Sequence, residues 1–258
     1  MWPILEIAGM RFPTYNLALV AGVIAGLAVL FLAARRKRVA LQFLADNLVT
    51  LVAVTVLSAR LVEVWINKYP LASIPFFWQE NGGFSFYGGL VGFLIALYLF
   101  CRKYGENFFV WLDLISLAGV VTLVFHHIGT FLSGEAYGIP TVLFWGVTFT
   151  NPDSAVLTTL PIHPVQIYTA LLALIFFIAA VIISKHTRTA GKAGIFILLT
   201  LSVSYFLLDF LRGDSAPMFG FLRASQYFAL AFATIAAALI FKMKHEKISA
   251  SGSELHIQ

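Results

Sequence analysis

Residues 15–34 read YNLALVAGVIAGLAVLFLAA and run directly into Arg35-Arg36-Lys37-Arg38. A run of about 20 apolar residues makes a helix long enough to cross the hydrocarbon core of a bilayer, and a cationic block at one end sets its orientation. The charges follow the apolar run instead of preceding it, so the segment reads as a retained span and not as a cleavable signal. Six more runs of this kind follow, at about 47–66, 84–101, 109–128, 164–183, 194–211 and 224–241. Composition agrees: of 258 residues, 60% are hydrophobic and 11% charged, against the ~25% charged share of a soluble domain. The fold class expected is an all-α integral membrane protein with seven transmembrane helices. A disordered chain and a cytosolic enzyme are excluded, and the lone Cys101 rules out an internal disulfide.

Basic residues follow alternate spans: Arg35 to Arg38, then Arg102 and Lys103, then Lys185, Arg188 and Lys192, then Lys242, Lys244 and Lys247, twelve of the seventeen Lys and Arg. The positive-inside rule makes that side the cytoplasm, with the N-terminus outside and the polar tail 245–258 inside. The net charge of +5 is spread along the chain as topology determinants instead of forming one basic face, so nucleic acid is not an expected partner. One transmembrane domain is expected over residues 1–244. The stretch at about 129–163 is rich in Pro and Gly and too apolar for a solvated linker, and reads as a small cap resting on the outer leaflet.

Four charged residues lie within apolar runs: Arg60 and Glu63 in the second, Asp113 in the fourth and Asp209 in the sixth. Charges facing lipid are costly, so these must face protein or water. Arg60 with Glu63, and Asp209 with Arg212, have the i, i+3 spacing of a helical ion pair. Gly22 with Gly26, and Gly88 with Gly92, have the GxxxG spacing that lets helices approach closely.

Three segments put Gly, polar and titratable residues at the outer ends of spans. They are Gly82 to Leu90, His126 to Gly138, and Ile162 to Tyr168. Here the chain resembles the bacterial prolipoprotein diacylglyceryl transferases. The family signature GRIGNFINGE appears as His126-His127-Ile128-Gly129-Thr130-Phe131-Leu132-Ser133-Gly134-Glu135. The family's GGLSFHGGLIG appears over Gly82 to Gly92, its PWGVVF over Phe144 to Phe149, and its RHPSQLYE over Ile162 to Thr169. Tyr15, Arg60 and Asp209 to Arg212 fall in the same register.

The resemblance implies a transferase that moves the diacylglyceryl group of phosphatidylglycerol to the lipobox cysteine thiol of a preprolipoprotein in a bacterial plasma membrane. The implied partners are that phospholipid or a related one, the lipobox-bearing signal peptide and the membrane; no metal or other cofactor is implied. The implied catalytic residues are Tyr87, His127 and Glu135. The implied phospholipid-binding residues are Tyr15, Arg60, Gly88, Gly89, Thr130, Gly134, His163, Gln166, Tyr168, Tyr205 and Arg212. This chain departs from the pattern at charged positions, with Tyr87 for the His of HGG, His127 for the Arg of GRIGN, and Tyr205 near the Arg of the sixth span. Arginine offers a permanent bidentate charge to phosphate and His does not. Two other readings therefore stay open, a paralogue acting on a different acceptor and a lipid-binding protein without catalysis. Local alternatives stay open too: Tyr87 as an interfacial aromatic, and His163-Pro164 as a helix start.

Overall fold

The computed structural model describes residues 1–7, 9–69, 83–187, 189–214, 217–218 and 220–254. Residues 70–82, including Gly82 of the Gly82 to Leu90 segment, lie outside that set, as do Arg188 and the last residues of the tail. Seven helices among the described residues are long and apolar enough to cross a membrane. They are α1 (Thr14–Lys37), α2 (Gln42–Ile66), α3 (Phe86–Tyr104), α4 (Phe108–Ser133), α5 (Val165–His186), α6 (Lys192–Leu208, prolonged by a 3-10 turn to Leu211) and α7 (Ala224–Glu254). The chain is a multi-pass membrane protein whose described spans are all α-helices.

Three features differ from the hydropathy reading. An antiparallel hairpin, β1 (Ile4–Ile7) with β2 (Met10–Pro13), precedes α1, with Glu6 opposite Arg11. Helix α4 continues through Ser133, so residues 129–133, expected in the cap, are helical. Helix α7 continues through Glu254, well into the stretch read as a polar tail. Polar residues can prolong a helix once it leaves the bilayer, where water satisfies the backbone, so hydropathy marks the membrane boundary and not the helix end.

The chain forms two compact units. One comprises residues 34–111 and is built on the α2–α3 pair. Gly88 and Gly92 of α3 meet Val62 and Ser58 of α2, and a Cβ at Gly88 would lie 2.8 Å from the Ser58 carbonyl oxygen. Larger side chains would force the two backbones apart, which is the close-approach role expected of the GxxxG spacing. Ser85 caps α3, its hydroxyl accepting from Gly88 N at 3.2 Å, and Gly105 ends it in the left-handed region at φ +72°.

The other unit comprises residues 1–33 and 112–258. Gly22 and Gly26 of α1 sit against Thr122, Ala118 and Phe125 of α4, and a Cβ at Gly26 would lie 2.9 Å from the Ala118 carbonyl oxygen. Leu117 and Val120 of α4 pack with Ala173 and Ala180 of α5 and with Ala193 and Ile197 of α6. Asp113, buried in α4, accepts from Gly191 N at 3.0 Å and Gly194 N at 2.8 Å. Its carboxylate thus satisfies the first amides of α6 and meets the positive end of that helix. That accounts for a charged residue in an apolar run.

Candidate functional site

The signature stretch is shaped by the way α4 ends. Gly134 adopts φ +83°, and the amides of both Gly134 and Glu135 donate to Thr130 O at 3.0 Å. A glycine in the left-handed region with a reach back of five residues is a Schellman-type stop. A Cβ at Gly134 would also come within 3.1 Å of the Phe149 ring. Gly134 is therefore a conformational residue, and its consequence is a fixed position for Glu135.

From the opposite side, Gln166 holds the same residue. It is 1% exposed, in the first turn of α5, and its Nε2 donates to Glu135 O at 2.5 Å. Although the Glu135 side chain reaches the surface, the protein around its carboxyl raises it above the usual glutamate range by desolvation. A carboxylate so raised is a better proton acceptor near neutrality than a free one.

Two hydrogen-bonded ring pairs accompany Glu135 in this unit. Tyr15 Oη lies 3.4 Å from His126 Nδ1, and the Glu135 carboxylate is near enough to bear electrostatically on Tyr15. Next to His126, His127 is 7% exposed, with its Nε2 2.7 Å from Tyr205 Oη. Arg212 lies near enough to influence both His127 and Tyr205 electrostatically. Two buried polar atoms, His127 Nδ1 and Gln166 Oε1, meet no hydrogen-bond partner among the described residues. A buried polar atom left unpaired is costly. Both therefore favour a polar ligand or water.

Other sequence candidates are committed elsewhere. The Thr130 hydroxyl donates to His127 O at 3.0 Å within its own helix. Arg212 pairs with Asp209 at 3.4 Å and makes a two-point contact with Asp214 at 2.8 and 2.6 Å. His163 and Tyr168 form a separate group, with His163 Nδ1 3.3 Å from Tyr168 Oη, which accepts from Trp145 Nε1 at 2.6 Å. Arg60, Tyr87, Gly88 and Gly89 belong to the α2–α3 unit. There Arg60 is buried and donates to Gly83 O at 2.9 Å, and Gly88 and Gly89 are buried in helix packing. Among the described residues no group of three His, Cys, Asp or Glu side chains is placed to hold a metal.

The model of the family described as prolipoprotein diacylglyceryl transferase matches residues 3–242. The chain belongs to this family. Relatives named phosphatidylglycerol–prolipoprotein diacylglyceryl transferase support the assignment. One from Clostridium tetani is 28% identical over 94% of this chain and 98% of its own length. One from Gloeobacter violaceus is 31% identical over 88% of this chain and 87% of its own length. A third, from Polynucleobacter necessarius, is 35% identical over 68% of this chain and 66% of its own.

Within this member of the diacylglyceryl transferase family, His127 meets Tyr205, joining the position read against the Arg of GRIGN to one read near the Arg of the sixth span. Sequence reading aligned both positions without placing them together. It also missed Arg223 and Ser225. Arg223 donates to Asp209 O and, at 2.8 Å, to Arg212 O, while the Ser225 hydroxyl donates to the Asp209 carboxylate. The only signal for them is a buried acid, Asp209, that requires donors.

Proposed function

We propose that the chain transfers a diacylglyceryl group from phosphatidylglycerol to the cysteine thiol of a prolipoprotein lipobox. The reading is supported above all by the family match over residues 3–242. In the reaction the thiol sulfur bonds to the glycerol carbon, the carbon–oxygen bond to phosphate breaks, and glycerol phosphate leaves. A base must take the thiol proton, and donors must meet the charge that grows on the departing phosphate.

Glu135 is proposed as that base, since its backbone is held by Thr130 and Gln166 and its carboxyl is raised by burial. His127 is proposed to contact the lipid through Nδ1, with its Nε2 end occupied by Tyr205. Tyr15, Gln166 and Arg212 are proposed around them. Tyr87 as a catalytic residue, and Arg60, His163 and Tyr168 as lipid-binding residues, are supported by the family register alone. The membrane is proposed to be a bacterial plasma membrane, with the N-terminus and the 134–164 segment outside; a reporter fused to the tail is expected to read as cytoplasmic.

The test is direct. The purified chain in phosphatidylglycerol vesicles is given a lipobox peptide with one free cysteine. Thioether-linked product and glycerol phosphate are expected in equal amounts, and none with a serine peptide. Lipid binding with no product would overturn the assignment in favour of a lipid-binding protein.

A further inference from the structure

Between α4 and α5 lies an ordered turn whose apolar side chains stand largely exposed. Its backbone is well braced. Thr141 N donates to Pro161 O at 2.9 Å, Leu143 N to Thr141 Oγ1 at 3.2 Å, and Gly146 N to Leu143 O at 2.9 Å, while Pro140 and Val147 both bridge to Ile162. Gly146 has no room for a side chain, since a Cβ there would lie 2.8 Å from Pro161 Cβ. Despite this bracing, Val142 is fully exposed and Phe144 is 93% exposed, with Leu143, Trp145 and the neighbouring Leu160 also outside. Turn tips in water are ordinarily polar. Contiguous apolar side chains on a rigid tip mark a surface with an apolar occupant.

The surroundings of the turn identify that occupant. Trp145 donates its indole N–H to Tyr168, which stands in the first turn of the spanning helix α5. Further along the same helix Leu171, Leu174, Ile175 and Ile178 are exposed, as lipid-facing residues of a span must be. Trp and Tyr gather at the level of the lipid headgroups because each has an apolar body and a polar handle. From 136 to 184 the chain has a single formally charged residue, Asp153, and that residue is paired with Arg11 at 3.0 Å. The turn is thus continuous with the lipid face of α5 and carries no charge that would hold it in water.

We infer that the Val142–Trp145 turn is a membrane wedge. Its side chains enter the headgroup and acyl boundary of the leaflet at the N-terminal end of α5, with the Trp145–Tyr168 pair at headgroup level. The occupant of this surface is lipid and not a second copy or a polypeptide. This inference does not depend on the transferase reading.

Fluorophores on single cysteines test it. Cys101, the chain's one cysteine, is replaced by serine, and Phe144→Cys, Val142→Cys and Pro152→Cys are made separately in the full chain. All three positions are exposed, so the variants keep the folded chain. In phosphatidylglycerol–phosphatidylcholine vesicles, labels at 142 and 144 are expected to be quenched several-fold more strongly by lipids carrying a nitroxide near the headgroup than the label at 152. They are also expected to be shielded from aqueous iodide. Iodide quenching at 144 equal to that at 152 would overturn the inference. So would shielding of 144 from both quenchers, or disulfide cross-linking of 144 between copies, since each places protein on this surface.

Discussion

The two ends of α4 use buried polar residues in opposite ways. Toward its start, Asp113 spends both carboxylate oxygens on the first amides of α6. Fourteen residues later, His127 is also buried, yet only its Nε2 meets a partner in Tyr205 and its Nδ1 meets none among the described residues. Removing a charge from water is tolerable when the protein replaces water's hydrogen bonds. Asp113 shows that replacement, as a structural residue should. His127 shows half of it, and the other half is proposed to be completed by a ligand. Burial alone does not separate these roles; the tally of partners does.

The largest effect expected from breaking this contrast is at the satisfied end. Asp113→Ala leaves two amides at the start of α6 without their acceptor, and the loss of charge-assisted hydrogen bonds is expected to cost about 3 kcal/mol of stability. Thermal unfolding in detergent would register it, while lipid affinity per folded molecule stays unchanged. A stable Asp113→Ala protein with altered lipid binding would erase the contrast between the two ends.

Glu135 comes next. Glu135→Gln keeps the backbone contacts to Thr130 and Gln166 but removes the proton acceptor, and turnover is expected to fall about a hundred-fold. The pH dependence carries a sign. Because desolvation raises the Glu135 carboxyl, the folded chain holds this proton more tightly than the unfolded one. Its contribution to stability is complete below the unfolded pKa and is lost as pH rises through the folded value. Turnover needs the ionised form and is expected to rise over the same interval. Stability and activity should therefore move in opposite directions with pH, and Glu135→Gln should flatten both profiles. Unaltered profiles in that variant would move the base elsewhere.

These residues also show what the sequence made legible. Seven spans follow from apolar runs, because the bilayer imposes one length on every element that crosses it. The β1–β2 hairpin has no such rule: its pattern is short, and Arg11 finds Asp153 far along the chain. Glu135, Gly134 and Gln166 were legible as motif residues, but their joint work was not, since it depends on a helix end meeting the first turn of another helix. Asp113 was legible as a charge that needs a partner; that the partner is the backbone of α6 depends on packing. The same applies to Tyr205, whose ring reaches His127 from 78 residues away.

At the unsatisfied end, His127→Ala is expected to weaken phosphatidylglycerol binding by about 2 kcal/mol, the worth of a hydrogen bond to a charged group. His127→Arg, which restores the signature's residue type, is expected to retain or improve binding, since guanidinium offers phosphate a permanent charge. Equilibrium binding to labelled lipid in nanodiscs reads both. Unchanged affinity in the pair would make His127 a packing residue and shift the phosphate toward Arg212.

The smallest effect, and the sharpest on the comparison, concerns Tyr205. Its hydroxyl touches His127 and fixes which ring nitrogen is engaged, so its proposed action on a lipid runs through the imidazole's orientation. Tyr205→Phe is expected to weaken lipid binding by about 1 kcal/mol, less than His127→Ala, because the imidazole remains but is no longer held. The decisive quantity is the coupling. In a double-mutant cycle, Tyr205→Phe added to His127→Ala should cost almost nothing more, since the group it positions is already gone. Full additivity would show Tyr205 acting on the lipid independently. The pair would then be two separate contacts instead of one oriented group, and the unpaired Nδ1 would lose its meaning as the ligand-facing end.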